Sequence, residues 1–343
     1  MSKFLKISSS HFYSIMKLLR YTKNKEKVFI SNATHVTEIL SFHHDRDIGR
    51  DLFITFNIDR YANKFFNRSF YKAILKLLGR RDDRVAFILY NCSTRKTIDL
   101  IKLLFPKCTI YIKYVDVIKD IFKNTDELNQ CVELASGVDT YSRRDANLYG
   151  LNYVPNIVNK KKLNDLSQKF TQQNDTFLFV GTYSPSRFAY LLKLLKLNIN
   201  DNIKYKFILL IENKPENSHS LQTVQEINAS FSYHPFTIID RPISYSKYLE
   251  EFAKASGLID FYRLESDEGF SYRVLECVAT NKKLITNRHL DKESFFLQEM
   301  IFNIDIDSIS DFNKFLKSDL CFNQDTISQL QHYLHDAYLP KDN

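Results

Sequence analysis

Residues 257–287 read GLIDFYRLESDEGFSYRVLECVATNKKLITN, a succession of strand, loop, helix and strand. Gly257 to Tyr262 is a short apolar run that suits a buried strand, and Arg263 to Glu268 is a polar loop arriving at Gly269. Ser271 is placed to cap a helix whose Val274, Leu275 and Val278 share one buried face. Tyr272, Arg273 and Glu276 then fall together on the other side of that helix. Lys282 to Ile285 reads as the next strand. The helix start carries unpaired backbone N–H groups and favours a phosphate, while a carboxylate two turns in suits a diol. The same pattern also fits an ordinary crossover unit with a solvated glutamate.

Outward from this stretch, strands and helices keep alternating. Lys3 to Ile7, Lys27 to Ser31, Leu52 to Phe56, Val85 to Tyr90 and Thr109 to Tyr114 are strand candidates. Helices are expected over His11 to Tyr21, Tyr61 to Leu78 and Thr94 to Leu104. The exposed Lys17 and Arg20 of the first helix suit either a membrane surface or plain solvent. Further on come strands at Phe177 to Val180, Tyr205 to Ile211 and Phe236 to Ile239, and a helix from Phe188 to Leu197. This alternation argues for parallel sheets covered on both faces, with ligands at the carboxyl ends of strands. Asp116, just past Thr109 to Tyr114, is therefore either a site residue or a helix N-cap. Arg187 is similarly either a phosphate ligand at a helix start or a surface arginine. The polar tract 159–175 divides the chain, giving domains over 1–158 and 176–322 and a final segment, 323–343.

The segment EGFSYRVLECVATNKKLIT resembles the donor site of glycosyltransferases with the GT-B fold, in particular the Glu-x7-Glu motif of the retaining family 4 enzymes, here Glu268 and Glu276. It is more similar still to bacterial surface-polysaccharide and lipopolysaccharide glycosyltransferases, many of which lack the first glutamate. YVDVIKD around Asp116 and FVGTYSPSRFAYLLKLLK around Gly181 resemble the same group, although Val117 stands where a serine is usual. A strand followed by a Tyr-Gly-Leu turn, as in VDTYSRRDANLYGLNYVPNI, closes the first domain there. The resemblance implies an α/β protein of two Rossmann-like domains whose sheets face across a cleft. It implies transfer from a nucleotide-sugar to a lipopolysaccharide or capsule acceptor, with retention favoured. Donor contacts would fall to Gly181, Thr182, Arg187, Ile243, Gly269, Phe270, Ser271, Tyr272, Arg273 and Glu276, and catalysis to Glu268 and Asp116. The last helix, Thr326 to Tyr338, would cross back to the first domain. Rivals are a nucleotide-sugar epimerase or hydrolase of the same fold, and a non-catalytic nucleotide binder.

Composition sets outer bounds. The 343 residues suffice for two domains, and the 44% apolar content is ordinary. Five cysteines without a C-x-x-C pair indicate neither a disulfide framework nor a zinc site, so a cytoplasmic location is expected. No run reaches the roughly 20 apolar residues of a membrane span. The net charge of +8 favours anionic partners, nucleotides or an anionic membrane face among them. Scattered lysines without interleaved aromatics argue against nucleic acid. Asp45-Arg46-Asp47 matches a metal motif but precedes a strand instead of following one, and His43 and His44 are expected in a solvated loop. With seven glycines and no Walker or G-x-G-x-x-G loop, phosphate must be met by helix ends and side chains. No metal and no cofactor beyond the nucleotide-sugar substrate is expected.

Overall fold

A computed structural model describes residues 25–31, 34–43, 51–55, 84–170, 173–197, 203–262, 270–288 and 300–318, with Leu18, Thr22 and Leu290. The chain divides into two compact units, Met1–Pro155 and Asn156–Asn343. In the first, β1 (Lys27–Ser31), β2 (Asp51–Thr55), β3 (Ala86–Tyr90), β4 (Thr109–Tyr114), β5 (Gly137–Thr140) and β6 (Asn152–Tyr153) lie in the order β2-β1-β3-β4-β5-β6. Helices α1 (Thr34–His43), α2 (Arg95–Leu104), α3 (Ile118–Ile121), α4 (Thr125–Leu134) and α5 (Arg143–Tyr149) connect them. Every described pairing is parallel. Strands such as AFILY are apolar nearly throughout because both faces are covered. Ile98, Ile101 and Leu104 of α2 pack with Phe87, Leu89, Ile110 and Ile112 on one face, and Phe29, Ile88 and Tyr90 join Val36 of α1 on the other.

The second unit repeats the plan. It opens with α6 (Lys160–Ser167) and continues through β7 (Gln173–Thr182), α7 (Pro185–Leu197), β8 (Lys204–Leu210), α8 (Ser218–Ser230) and β9 (Phe236–Ile239). Then come α9 (Tyr245–Lys254), β10 (Ala255–Asp260), α10 (Tyr272–Ala279), β11 (Lys283–Thr286), β12 (Ile301–Asn303) and α11 (Ile309–Lys317). The sheet order is β12-β11-β10-β7-β8-β9, again wholly parallel. Its core is aromatic: the ring of Phe207 lies 5.6 Å from Tyr205 and 4.8 Å from Phe236, which in turn meets Phe188 of α7 at 5.8 Å. Two units, each with a parallel sheet and covering helices, are the α/β architecture expected from sequence.

Several sequence expectations change. The division falls at Pro155/Asn156, and the tract 159–175, expected to be a connection, contains α6 packed on α9 and α10. Its single fully buried side chain, Leu163, is too little apolar signal to betray a helix. His43, expected in a loop, ends α1 and is buried with its ring edge-on to Phe42. The segments 3–7, 61–78 and 326–338, His44 and Asp45-Arg46-Asp47 lie outside the described residues. Among the described residues no helix is long and apolar enough to cross a membrane, and Cys92, Cys108, Cys131 and Cys277 are free thiols.

Candidate functional site

In each sheet the strand order reverses once among the described strands, between β1 and β3 and between β7 and β10. Open parallel sheets bind ligands outside the carboxyl ends of strands at such a reversal. The second reversal is spanned by one side chain. Arg187, held at the start of α7 where its N–H bonds the Ser184 hydroxyl, donates from Nε to the Phe261 carbonyl at 2.9 Å and from Nη1 to the Thr182 carbonyl at 3.2 Å. It ties the end of β7 to the end of β10. Thr182 itself is exposed at the strand end. Gly181, expected to admit a ligand to the backbone, has a second explanation: a Cβ there would lie 2.8 Å from the Phe179 ring.

Beside Arg187 lies a charge cluster that joins the expected Ser271 and Arg273 to two residues the sequence did not single out, Asp260 and Arg288. Asp260 ends β10 with its carboxylate buried, and accepts from Arg288 Nε at 2.7 Å, from the Ser271 hydroxyl at 2.8 Å and from Arg273 Nη1 at 3.3 Å. Burial alone would push this carboxyl up. The Arg288 and Arg273 guanidiniums and the Ser271 hydroxyl outweigh burial and hold it at about 2. Arg288 also stacks 4.5 Å over the Tyr262 ring, and Asn287 exchanges two bonds with the Tyr262 backbone, at 2.7 and 3.0 Å. Arg273 is half-buried and commits only one contact, the longest of the three, to Asp260. The cluster could have been found from GLIDFY, because a carboxylate inside a buried strand requires a cation.

Ser271 caps α10 as expected, its hydroxyl accepting from the Val274 N–H at 3.3 Å, and Val274, Leu275 and Val278 are buried. Phe270 is buried too, and its carbonyl accepts from Asn156 Nδ2 at 3.0 Å. Tyr272 is half-buried. Glu276 departs from expectation. Its side of α10 faces α9, and the carboxylate is fully buried, accepting one hydroxyl from Tyr245 and another, at 2.5 Å, from Tyr248. Burial first and the Glu276 charge second push both phenols well up, so both remain donors. Periodicity alone cannot tell a solvent face from one covered by a second helix, which is why the glutamate looked available. Ile243 is half-buried in the 241–244 loop that leads to the Ser244 cap of α9. Glu268 and Gly269 lie outside the described residues.

In the first unit, Asp116 stands exposed just beyond β4. It is not a helix cap, since the cap of α3 is Val117. Its Oδ2 accepts from Asn91 Nδ2 at 2.7 Å, and Asn91 lies at the end of β3, beside the reversal in the first sheet.

No protein-family model matches the chain, and no curated protein matches it. Solved structures do. The chain is similar to an alpha-glucosyltransferase in complex with UDP and a 13-mer DNA containing an HMU base, at 14% identity and a TM-score of 0.53, over 90% of this chain and 96% of that one. An alpha-glucosyltransferase in complex with UDP-glucose and DNA containing an abasic site aligns at 15% identity and a TM-score of 0.56, covering 92% and 96%. The alpha,alpha-trehalose 6-phosphate synthase of Burkholderia multivorans aligns at 10% identity and a TM-score of 0.57, covering 90% and 93%. At these identities the likeness establishes the fold, GT-B, and nothing finer.

Proposed function

We propose that the protein is a glycosyltransferase that moves a sugar from a nucleoside-diphosphate sugar to a hydroxylated acceptor. The observation that carries this reading is the carboxyl edge of the second sheet, where Arg187 and Arg273 stand at the starts of two helices, in a fold shared with enzymes solved in complex with UDP. In such a transfer the bond between the anomeric carbon and the phosphate oxygen breaks, and its electron pair leaves with the diphosphate. The acceptor oxygen bonds the anomeric carbon and gives its proton to a base. The leaving charge is met by preorganised cations and helix N-termini, so no divalent metal is required. Asp116 is the candidate base if configuration inverts; retention is favoured if Glu268 belongs to the donor motif. Glu276, with both oxygens engaged by tyrosines, supports α9 against α10 and is not assigned to the ribose.

The acceptor we favour is a bacterial surface glycan, lipopolysaccharide or capsule, at the inner face of the cytoplasmic membrane, on the strength of the sequence resemblance. The complexes of the neighbouring alpha-glucosyltransferase with DNA, together with the charge of +8, support a second acceptor class and reopen the exclusion of nucleic acid. One experiment tests both readings. The purified protein is incubated with UDP-glucose and a panel of other nucleotide-sugars, with surface glycan or with DNA carrying hydroxymethylated bases, in excess EDTA. Release of nucleoside diphosphate that rises with one acceptor is expected. No release with any donor, with or without added Mg²⁺ or Mn²⁺, overturns the enzyme reading, and release that appears only with added Mg²⁺ or Mn²⁺ overturns its metal-free form.

A further inference from the structure

Asp116 is the one exposed side chain of a loop whose backbone is fastened from several directions. The Tyr114 hydroxyl donates to the Cys92 carbonyl at 3.1 Å, and the Tyr141 N–H donates to the Tyr114 carbonyl at 3.2 Å. The Ile118 N–H donates to Oδ2 of the buried Asp145 at 2.9 Å. Between these anchors, the Asn91 side chain makes three contacts with two residues: Oδ1 accepts the Val115 N–H at 2.9 Å and the Asp116 N–H at 3.4 Å, while Nδ2 donates to the Asp116 carboxylate at 2.7 Å. Asn91 reaches all three from a left-handed backbone conformation, φ 53°, which asparagine and glycine tolerate and most side chains do not. A loop that needed only closure would be served by Oδ1 alone. The amide proton aimed at the carboxylate fixes where Asp116 points.

We propose that Asn91 is the positioning residue for Asp116, holding one carboxylate oxygen at the strand reversal of the first unit so that the carboxylate is presented to the hydroxyl of the acceptor. This rests on the glycosyltransferase reading in its inverting form, with Asp116 as the group that touches substrate. An asparagine suits the task because it offers an acceptor to the backbone and a donor to the carboxylate at once.

Three variants separate positioning from mere loop closure. Asn91→Gly keeps the backbone conformation and removes all three contacts. Asn91→Asp keeps the acceptor for the two N–H groups but sets a second carboxylate against the first, which repels it. If Asn91 only closes the loop, Asn91→Asp is the milder change. If it aims Asp116, Asn91→Asp is the worse: turnover should fall by about 100-fold against about tenfold for Asn91→Gly, with the KM for donor unchanged. The exchange variant Asn91→Asp with Asp116→Asn restores one amide facing one carboxylate. Its melting temperature should recover from the loss suffered by Asn91→Asp alone, while turnover stays lost because the carboxylate has moved. An Asn91→Asp variant at least as active as Asn91→Gly, or an exchange variant that recovers no stability, overturns the proposal. If the wild-type protein consumes no nucleotide-sugar, the glycosyltransferase reading has failed, and with it the catalytic purpose. The recovery of melting temperature still decides whether the two side chains are coupled.

Discussion

Asp260 and Asp116 stand at the carboxyl ends of β10 and β4, one in each unit, and the fold treats them in opposite ways. Asp260 is buried, takes bonds from two arginines and a serine, and is held ionised at about 2. Asp116 is exposed and is aimed by the neutral amide of Asn91. A carboxylate enclosed by cations is committed to holding those cations in place. One held at the surface by a neutral amide keeps a face toward solvent. On the proposed reading the carboxylate that acts is Asp116 of the first unit, while Asp260 of the second organises positive charge.

The largest expected effect comes from Asp260→Asn. Removing the charge takes from the buried Arg288 the carboxylate it bonds and from Arg273 its anchor, and breaking a buried pair from one side costs about 3–5 kcal/mol. Urea unfolding of the variant measures it. A loss near zero would mean that Asp260 is no more structural than Asp116, and the contrast would collapse.

Glu276→Gln comes next. Each tyrosine hydroxyl donates to the carboxylate, and bonds to a charged acceptor are worth about 1.5–3 kcal/mol. The amide keeps one acceptor and turns a donor toward the second phenol, so stability should drop by roughly the worth of one such bond, 1.5–3 kcal/mol. A variant that melts with the wild type but loses nucleotide affinity would restore Glu276 to the ligand.

Acid titration gives a smaller effect of the same kind. Asp260 has a folded-state value of about 2 against 3.8 for the ordinary carboxyl, so its contribution is fully present above the higher value and is lost as pH falls through the lower one. A gap of that size corresponds to about 2 kcal/mol, disappearing between about pH 4 and pH 2. Comparing the acid unfolding of wild type and Asp260→Asn should show the steeper loss only in the wild type.

These contrasts also mark what the sequence made legible. Strands such as KVFIS, TIYIKY and FTII are short, largely apolar runs, and they lie where the sequence pattern puts them. The Ser271 cap follows from local chemistry alone, and the turn at Gly150, which ends α5 with φ 64°, lies where the resemblance puts a Tyr-Gly-Leu turn. Side-chain partnerships across long separations are a different matter. Nothing local tells Glu276 that Tyr245 and Tyr248 will cover it, or joins Asn91 to Asp116 across 25 positions. The positive charge was also legible only in total. Lys102, Lys282 and Lys283 donate to carbonyls at the ends of α4, α9 and α11, so part of the excess caps helices and is not offered to a partner.

The smallest effect concerns the arginine that links the two roles. Arg273 is anchored to Asp260 by one 3.3 Å contact and stays partly open, with 28% of its side chain exposed at the start of α10. Arg288, nearly enclosed and bonded to the same carboxylate at 2.7 Å, keeps Asp260 paired when Arg273 is removed. Arg273→Ala should therefore cost little stability. A guanidinium facing phosphate makes charge-assisted bonds that a nucleoside cannot receive. Affinity for a nucleoside diphosphate should then fall by about tenfold, equivalent to about 1.4 kcal/mol, while affinity for the nucleoside stays level. Titration calorimetry with UDP and uridine on the same preparation reads the ratio directly. Equal losses for both would make Arg273 a second structural partner of Asp260, and the charge gathered at that edge would serve the fold and not a ligand.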